Sequence, residues 1–425
     1  MPQIYPNVPA ILPPVVPAGY RLEVRDWGFH ESCVGETVEI DGERINKLLT
    51  MDVNFVRDDF AKAVNEAIKK YGVDSKEVQK AFMGNYPCVH ACDGCFNKAH
   101  IMNPLITHEE VLKVIDQAIP LGLRSIKFLG PGELLANPKL FWILDELAKR
   151  GIILGLFTKA AFLGSDALAQ RYHKMSAEAL TRRLVSDYDN INYLVGYRSS
   201  DPDVENRLVP VNVPELRRRN LLEERRFNYL STRNRAVELL CELGVNGHFK
   251  DQRMALICSP VVPENVGQAF DLYEWGTERN MPVYLPTTMV SGRGHGREEE
   301  AREEQFENDY IDLAVRVYTW SIKRGVITLE QFERDGVHPY MNSPCNQLTF
   351  GLYFNYDGQV WRCPGNDTPD FRVHSNVRDT PLKEIWMASK NYAVQERNNR
   401  CVKDRVSVPE RYYEEVPRRV LAALH

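Results

Sequence analysis

Nothing in this 425-residue sequence approaches the roughly 20 consecutive apolar residues that a membrane-spanning helix needs. It also lacks a strong charge of one sign. The formal net charge is -5, so no broad attraction to nucleic acid or to an anionic membrane surface is expected. The arginine-rich stretch "LRRRNLLEERRF" mixes arginine with glutamate and reads as a solvated helix face rather than a nucleic-acid patch. Internal repeats and low-complexity tracts are missing. The amino terminus, "MPQIYPNVPAILPPVVPAGY", has no basic start and is broken by prolines, so an irregular arm is expected there rather than an export signal. A cytosolic, reducing setting is then expected for the nine cysteines, and clustered thiols there bind metal or do redox chemistry more often than they form disulfides.

What is present is ordinary for a soluble globular protein: 44% hydrophobic and 26% charged residues, in a chain long enough for two or three structural units. The unusual stretch is "NYPCVHACDGCFNKAH", which places Cys88, Cys92 and Cys95 within eight residues as C-x-x-x-C-x-x-C. Structural zinc sites usually pair cysteines on two separate knuckles. With His90 inside the loop and His100 just beyond it, zinc stays open. Three thiols on one short loop also suit one face of a 4Fe-4S cluster, leaving the fourth iron free for a cofactor or substrate.

After the loop, helical and strand patterns alternate. "THEEVLKVIDQAIPLGL" has helical spacing, with Thr107 as N-cap and Glu110 at the capping-box position. "SIKFLGPGELLANP" reads as a buried strand ending in glycines, and "KLFWILDELAKRG" and "IILGLFT" as the next helix and strand. Further strands are expected at "NINYLVGYRSS", "RMALICSPVV" and "MPVYLPTTM", separated by helices. Repeated units of this length imply an α/β fold with a parallel sheet, open or closed as a barrel, and function at the carboxyl ends of the strands.

The cysteine loop, followed by a strand ending "GPGE", resembles the radical S-adenosylmethionine (AdoMet) enzymes. The resemblance implies a partial (β/α)6 barrel over residues 80–295, behind an amino-terminal extension at 1–79. It implies that Cys88, Cys92 and Cys95 hold a 4Fe-4S cluster whose fourth iron chelates AdoMet, and that Gly130, Pro131, Gly132 and Glu133 meet the AdoMet amine. Relatives usually carry an aromatic residue just before the third cysteine. Gly94 stands there in this chain, and Phe96 or Tyr86 is expected to replace it beside the adenine. The same likeness assigns Ser199 and Arg207 to the ribose and carboxylate. It places Thr158 at the end of the third strand, and gives Lys159 there a substrate contact. Cys258, ending the fifth strand, is read first as a packed thiol and second as a hydrogen-atom donor.

The carboxyl-terminal part resembles the SPASM/twitch extensions of the same enzymes. "LTFGLYFNYDGQVWRC" reads as a hairpin turning at Asp357-Gly358, with Cys345 before it and Cys363 after, and "VHSNVRDTPLKEIWMASKNYAVQERNNRC" as a turn and helix leading to Cys401. The implied domain is a twitch-like hairpin plus helix at 336–425, reached through a linker helix at 296–335 and holding one auxiliary 4Fe-4S cluster. Relatives often end in C-x-x-C. Asp404 occupies the last position in this chain: it supplies a fourth ligand, a residue elsewhere does, or one iron is open. "VSGRGHGREEEAREEQ" is read as a boundary loop.

The implied activity is reductive cleavage of AdoMet to a 5′-deoxyadenosyl radical that takes a hydrogen atom from substrate, with electrons from a donor such as flavodoxin or ferredoxin. A small polar metabolite (sugar, aminocyclitol or nucleoside) undergoing dehydrogenation, epimerisation or elimination is the first expectation, because no leader-peptide-binding domain is evident. Peptide or protein modification comes second, and sulfur insertion from the auxiliary cluster third. A metal-stabilised binding module without turnover is the non-enzymatic alternative.

Overall fold

The computed structural model describes residues 4–13, 36–85, 88–97, 101–130, 132–212, 228–247, 252–341, 345, 350–388 and 408–425. Tyr86, His100, Pro131, Cys401 and Asp404 lie outside the described residues. No helix among the described residues is long and apolar enough to cross a membrane.

A small antiparallel ribbon, β1 (Thr37–Ile40) and β2 (Glu43–Asn46), precedes the main sheet. Six parallel strands then follow in spatial order as they do in sequence: β3 (Thr50–Val53), β4 (Ser125–Phe128), β5 (Ile153–Thr158), β6 (Ile191–Gly196), β7 (Met254–Ile257) and β8 (Val283–Tyr284). Helices return the chain between them, among them His108–Ala118, Leu140–Lys149, Ala177–Asp187, Tyr229–Glu242 and Val266–Glu278. β3 to β7 are buried almost throughout, as strands covered on both faces must be. Residues from all six strands line one cavity, so the sheet curves around it as a partial barrel.

The first parallel strand lies inside the segment 1–79 that the sequence sets apart as an extension. Its Asp52 breaks the apolar pattern, which is why "TMDV" does not read as a buried strand. The capping box of His108–Ala118 forms, with the Thr107 side chain accepting from Glu110 N–H and the Glu110 carboxylate accepting from Thr107 N–H. This fixes the entry to the helix, whose Val111, Ile115 and Ala118 belong to the same core as Met51 and Ile126.

The carboxyl-terminal hairpin is β9 (Gly351–Phe354) and β10 (Gln359–Trp361), turning at Asp357-Gly358, with β11 (Arg372–Asn376) beyond. β9 pairs in parallel with β3, so the hairpin extends the barrel's own sheet into one of nine strands among the described residues. The helix Leu382–Ala388 packs on His108–Ala118, and Trp386 donates its indole N–H to Asn46 O at 2.7 Å.

Between Glu304–Arg324 and the hairpin, His338 is buried. Its backbone N–H donates to the Tyr318 hydroxyl, and its carbonyl accepts from the Tyr412 hydroxyl. Burial holds the imidazole neutral, with its pKa lowered to about 4. The unfolded chain takes up that proton near 6.5, so it binds more protons between the two values and folding stability falls as pH drops through them. Urea midpoints measured across this window should decline toward acid, and less steeply in His338→Gln. A wild-type midpoint that stays level would contradict this.

Candidate active site

The cysteine loop enters from the helix Lys76–Asn85 and is held by backbone pairing to the segment after Pro202–Leu208. Ala91 N–H donates to Pro210 O, Asp93 N–H to Leu208 O, and Asn212 N–H to Val89 O. Arg198, just beyond β6, donates through Nη1 to the carbonyls of Asp93 at 2.7 Å and Leu208 at 2.6 Å. Gly94 has a φ of 64°, and a Cβ there would lie 3.2 Å from the Pro260 ring. The backbone conformation thus asks for glycine where the likeness expects an aromatic residue.

Cys88, Cys92 and Cys95 share the wall of a cavity of about 210 Å³ with Gly132, Glu133, Thr158, Lys159 and Phe96. Cys345 and Cys363, from far along the chain, line the same cavity. Among the described residues no three His, Cys, Asp or Glu side chains are placed to hold a single ion. The three loop thiols all line the rim of this cavity, and such a set would suit a 4Fe-4S cluster, in which each thiolate ligates its own iron. Burial pushes the Cys88 thiol well up, and Cys92 and Glu133 push it further; burial and then Cys92 raise Cys95. A cationic cluster would reverse that penalty, and loading it would release protons. His90 is not on this wall. It packs edge-on against Tyr229, and its pKa is lowered to about 3 by burial and then by Lys159 and Arg198.

The turn after β4 is built against the cysteine loop. Gly130 has a φ of 121°, and a Cβ on it would come 2.5 Å from Asn97 Nδ2, which donates to Leu129 O. The Glu133 carboxylate is fixed at the end of β5: Oε2 accepts from the Thr158 hydroxyl and Oε1 from Lys159 N–H, both at 2.6 Å. Burial raises its pKa, against these lowering contacts. The pair presents one oriented carboxylate edge beside the thiol rim.

Three residues expected at the site lie elsewhere. Arg207 is exposed on Pro202–Leu208. Ser199 is buried, with its hydroxyl on Gln268 and its N–H on Glu205. Cys258 sits behind the wall, its sulfur 3.5 Å from Arg198 O, with burial raising its pKa to about 12. It is fully buried and is not part of the cavity wall.

Other residues were missed in the sequence. Asp52 and Lys127 face each other in register on β3 and β4, nearly buried, with Nζ 3.6 Å from Oδ1. Tyr353 and Gly155 continue the same row, and the lysine stem crosses Gly155, where a Cβ would sit 3.2 Å from its Cγ. Both charges line the cavity. A lone acid and a lone lysine inside apolar strands were the available signal. Arg198 also lines it, as does Tyr340, whose hydroxyl is 3.8 Å from Cys345 Sγ.

No protein-family model and no curated protein matches the chain. Among solved structures, it is similar to SuiB of Streptococcus suis bound to the precursor peptide SuiA, with a TM-score of 0.42 and 14% identity, over 74% of this chain and 68% of that one. Against SuiB bound to S-adenosylmethionine the TM-score is 0.44 and the identity 14%, over 78% and 77%.

The β6 exit that carries Arg198 depends on a fully buried ion pair. Glu205 meets Arg233 at 2.9 Å and also accepts from Ser199 N–H, while the Arg233 guanidinium stacks 3.4 Å from the Tyr197 ring centre. Removing one partner strands the other charge, so Glu205→Ala should cost about 3–5 kcal/mol in urea unfolding. A loss below about 0.5 kcal/mol, typical of surface changes, would contradict that role.

Proposed function

We propose that this chain is a radical AdoMet enzyme. The observation that carries the reading is that three cysteines of one loop, Gly132 and Glu133 of the turn after β4, and two distant cysteines line a single cavity floored by six parallel strands. Cys88, Cys92 and Cys95 would hold a 4Fe-4S cluster, and Glu133 with the turn would receive the amino end of AdoMet. Cys345 and Cys363 would hold a second cluster, completed by Cys401. When bound, these groups supply reductive AdoMet cleavage and hydrogen-atom abstraction, with electrons from an external donor.

The protein's share is positioning. Thr158 and Lys159 N–H fix the Glu133 carboxylate, which would meet the AdoMet ammonium. Phe96 offers an aromatic face in the same wall, and Leu194, Ile257 and Tyr284 keep the floor apolar. Asp52 and Lys127 form the polar anchor there. A buried ion pair adds little to stability over apolar packing, so its place in a cavity fits binding better than folding. The anchor suits a small polar metabolite that presents a donor and an acceptor side by side. A peptide segment is the second reading, since one similar structure is a complex with a precursor peptide.

The test is anaerobic reconstitution with iron and sulfide, reduction with dithionite, and assay for 5′-deoxyadenosine and methionine. Wild type should form both and Cys92→Ala neither; an iron-loaded wild type that forms neither would overturn the reading. With the substrate identified from metabolite and peptide pools, Lys127→Met should lower kcat/KM about ten- to a hundredfold, the loss of one charged hydrogen bond.

A further inference from the structure

The segment Gly292–Arg297, with Val290 and Ser291 before it, reads in the sequence as a boundary loop, yet it touches both cysteine loops. On one flank it pairs with the residues after Cys363. Val290 N–H donates to Gly365 O at 2.7 Å, Asp367 N–H to Val290 O at 3.2 Å, and the Ser291 hydroxyl to Pro364 O at 3.1 Å. Asp367 then takes Gly292 N–H on one oxygen and His295 Nε2 on the other, and His295 Nδ1 meets Glu298 at 2.6 Å.

On the other flank, Arg293 N–H donates to Cys95 O at 2.8 Å, and its Nη1 donates to Cys92 O at 3.1 Å. Arg297, nearly buried, reaches Asp93 at 2.8 Å and is held in place by Glu264 and Glu300 at 2.6 Å. The approach is too close for a side chain: a Cβ on Gly292 would stand 2.4 Å from Cys95 O and 2.6 Å from Phe96 O.

We propose that this segment is a clamp between the two cysteine rims, with Gly292, Arg293, His295 and Arg297 as positioning residues that fix how the Cys88–Cys95 loop faces Cys363. What the rims hold rests on the radical AdoMet reading; the clamp itself belongs to the metal-free chain. Its polar contacts are mostly charge-assisted and oriented, the class best able to hold one geometry. Arg293 has a second consequence. It brings a cation to the carbonyl of a cluster cysteine, where local charge and hydrogen bonding set the reduction potential.

The test uses two variants that leave the Cys88–Cys95 loop untouched, His295→Gln and Asp367→Asn. Metal-free protein is pulsed with iodoacetamide, and each cysteine is read by mass spectrometry against buried Cys258 as a folding reference. Cys92 and Cys95 should alkylate severalfold faster than in wild type while Cys258 does not change. Faster labelling of Cys363 alone, or of no cysteine, overturns the clamp. Should both variants also release Cys258, the decision passes to the iron-loaded Arg293→Gln and Arg293→Lys proteins. The glutamine variant should shift the loop cluster's midpoint to more negative potential, and the lysine variant should restore it. Equal midpoints in both and in wild type overturn the proposal. A wild type that takes up no iron defeats the radical AdoMet reading instead, and there a clamp that is real still shows in faster Cys92 and Cys95 labelling in Arg293→Gln than in Arg293→Lys, with equal labelling overturning it.

Discussion

Parallel pairing of β9 with β3 is the contact on which the site depends. Thr50, Met51 and Asp52 run in register with Gly351, Leu352 and Tyr353, joining residues about three hundred positions apart in sequence. Closing so long a loop is entropically costly, and only a buried ladder with well-packed flanks offsets it. Here the flanks are Leu352 and Phe354 in the main core, and Trp386 anchored on Asn46. Without this pairing Cys363 would have no reason to stand at the mouth of the barrel. With it, Cys345 and Cys363 share one wall with the Cys88–Cys95 loop.

The cavity that results is a place where charges are kept at a cost. Asp52, Lys127, Glu133 and Arg198 are all nearly buried, and each is held by a specific contact: a facing strand, a threonine hydroxyl, a loop carbonyl. Charged groups gathered nearly buried around one cavity are strong pointers to function. Arginines carry much of the arrangement. Arg198, Arg293 and Arg297 each hold the cysteine loop through its backbone carbonyls or Asp93, which leaves the thiols free to face the cavity.

Much of this was legible in the sequence wherever a local rule and the tertiary fold agree. The Thr107–Glu110 capping box, the Asp357-Gly358 turn and the succession of strands and helices after residue 100 are local signals, and the structure has them. The first strand was not legible, because the residue that breaks its apolar pattern is the one the cavity uses. Arg198 was not singled out in the sequence for a geometric reason: which of two nearby arginines turns inward depends on where β6 ends and Pro202–Leu208 begins. The glycine-rich stretch at 292–297 reads as a boundary because glycine marks both flexible links and close backbone approach, and only the packing against Cys95 separates the two.

The central proposal is that two cysteine sets, one on the Cys88–Cys95 loop and one flanking the hairpin, would each hold a cluster at one cavity. It is tested most directly by iron and sulfide content, with EPR after reduction, on anaerobically reconstituted protein carrying Cys88→Ala, Cys92→Ala and Cys95→Ala together. The account predicts that a reduced 4Fe-4S signal remains, held by Cys345 and Cys363, and is lost when Cys363→Ala is added. A folded triple variant with no iron would contradict it, leaving the carboxyl-terminal cysteines as packing residues beside a single-cluster site.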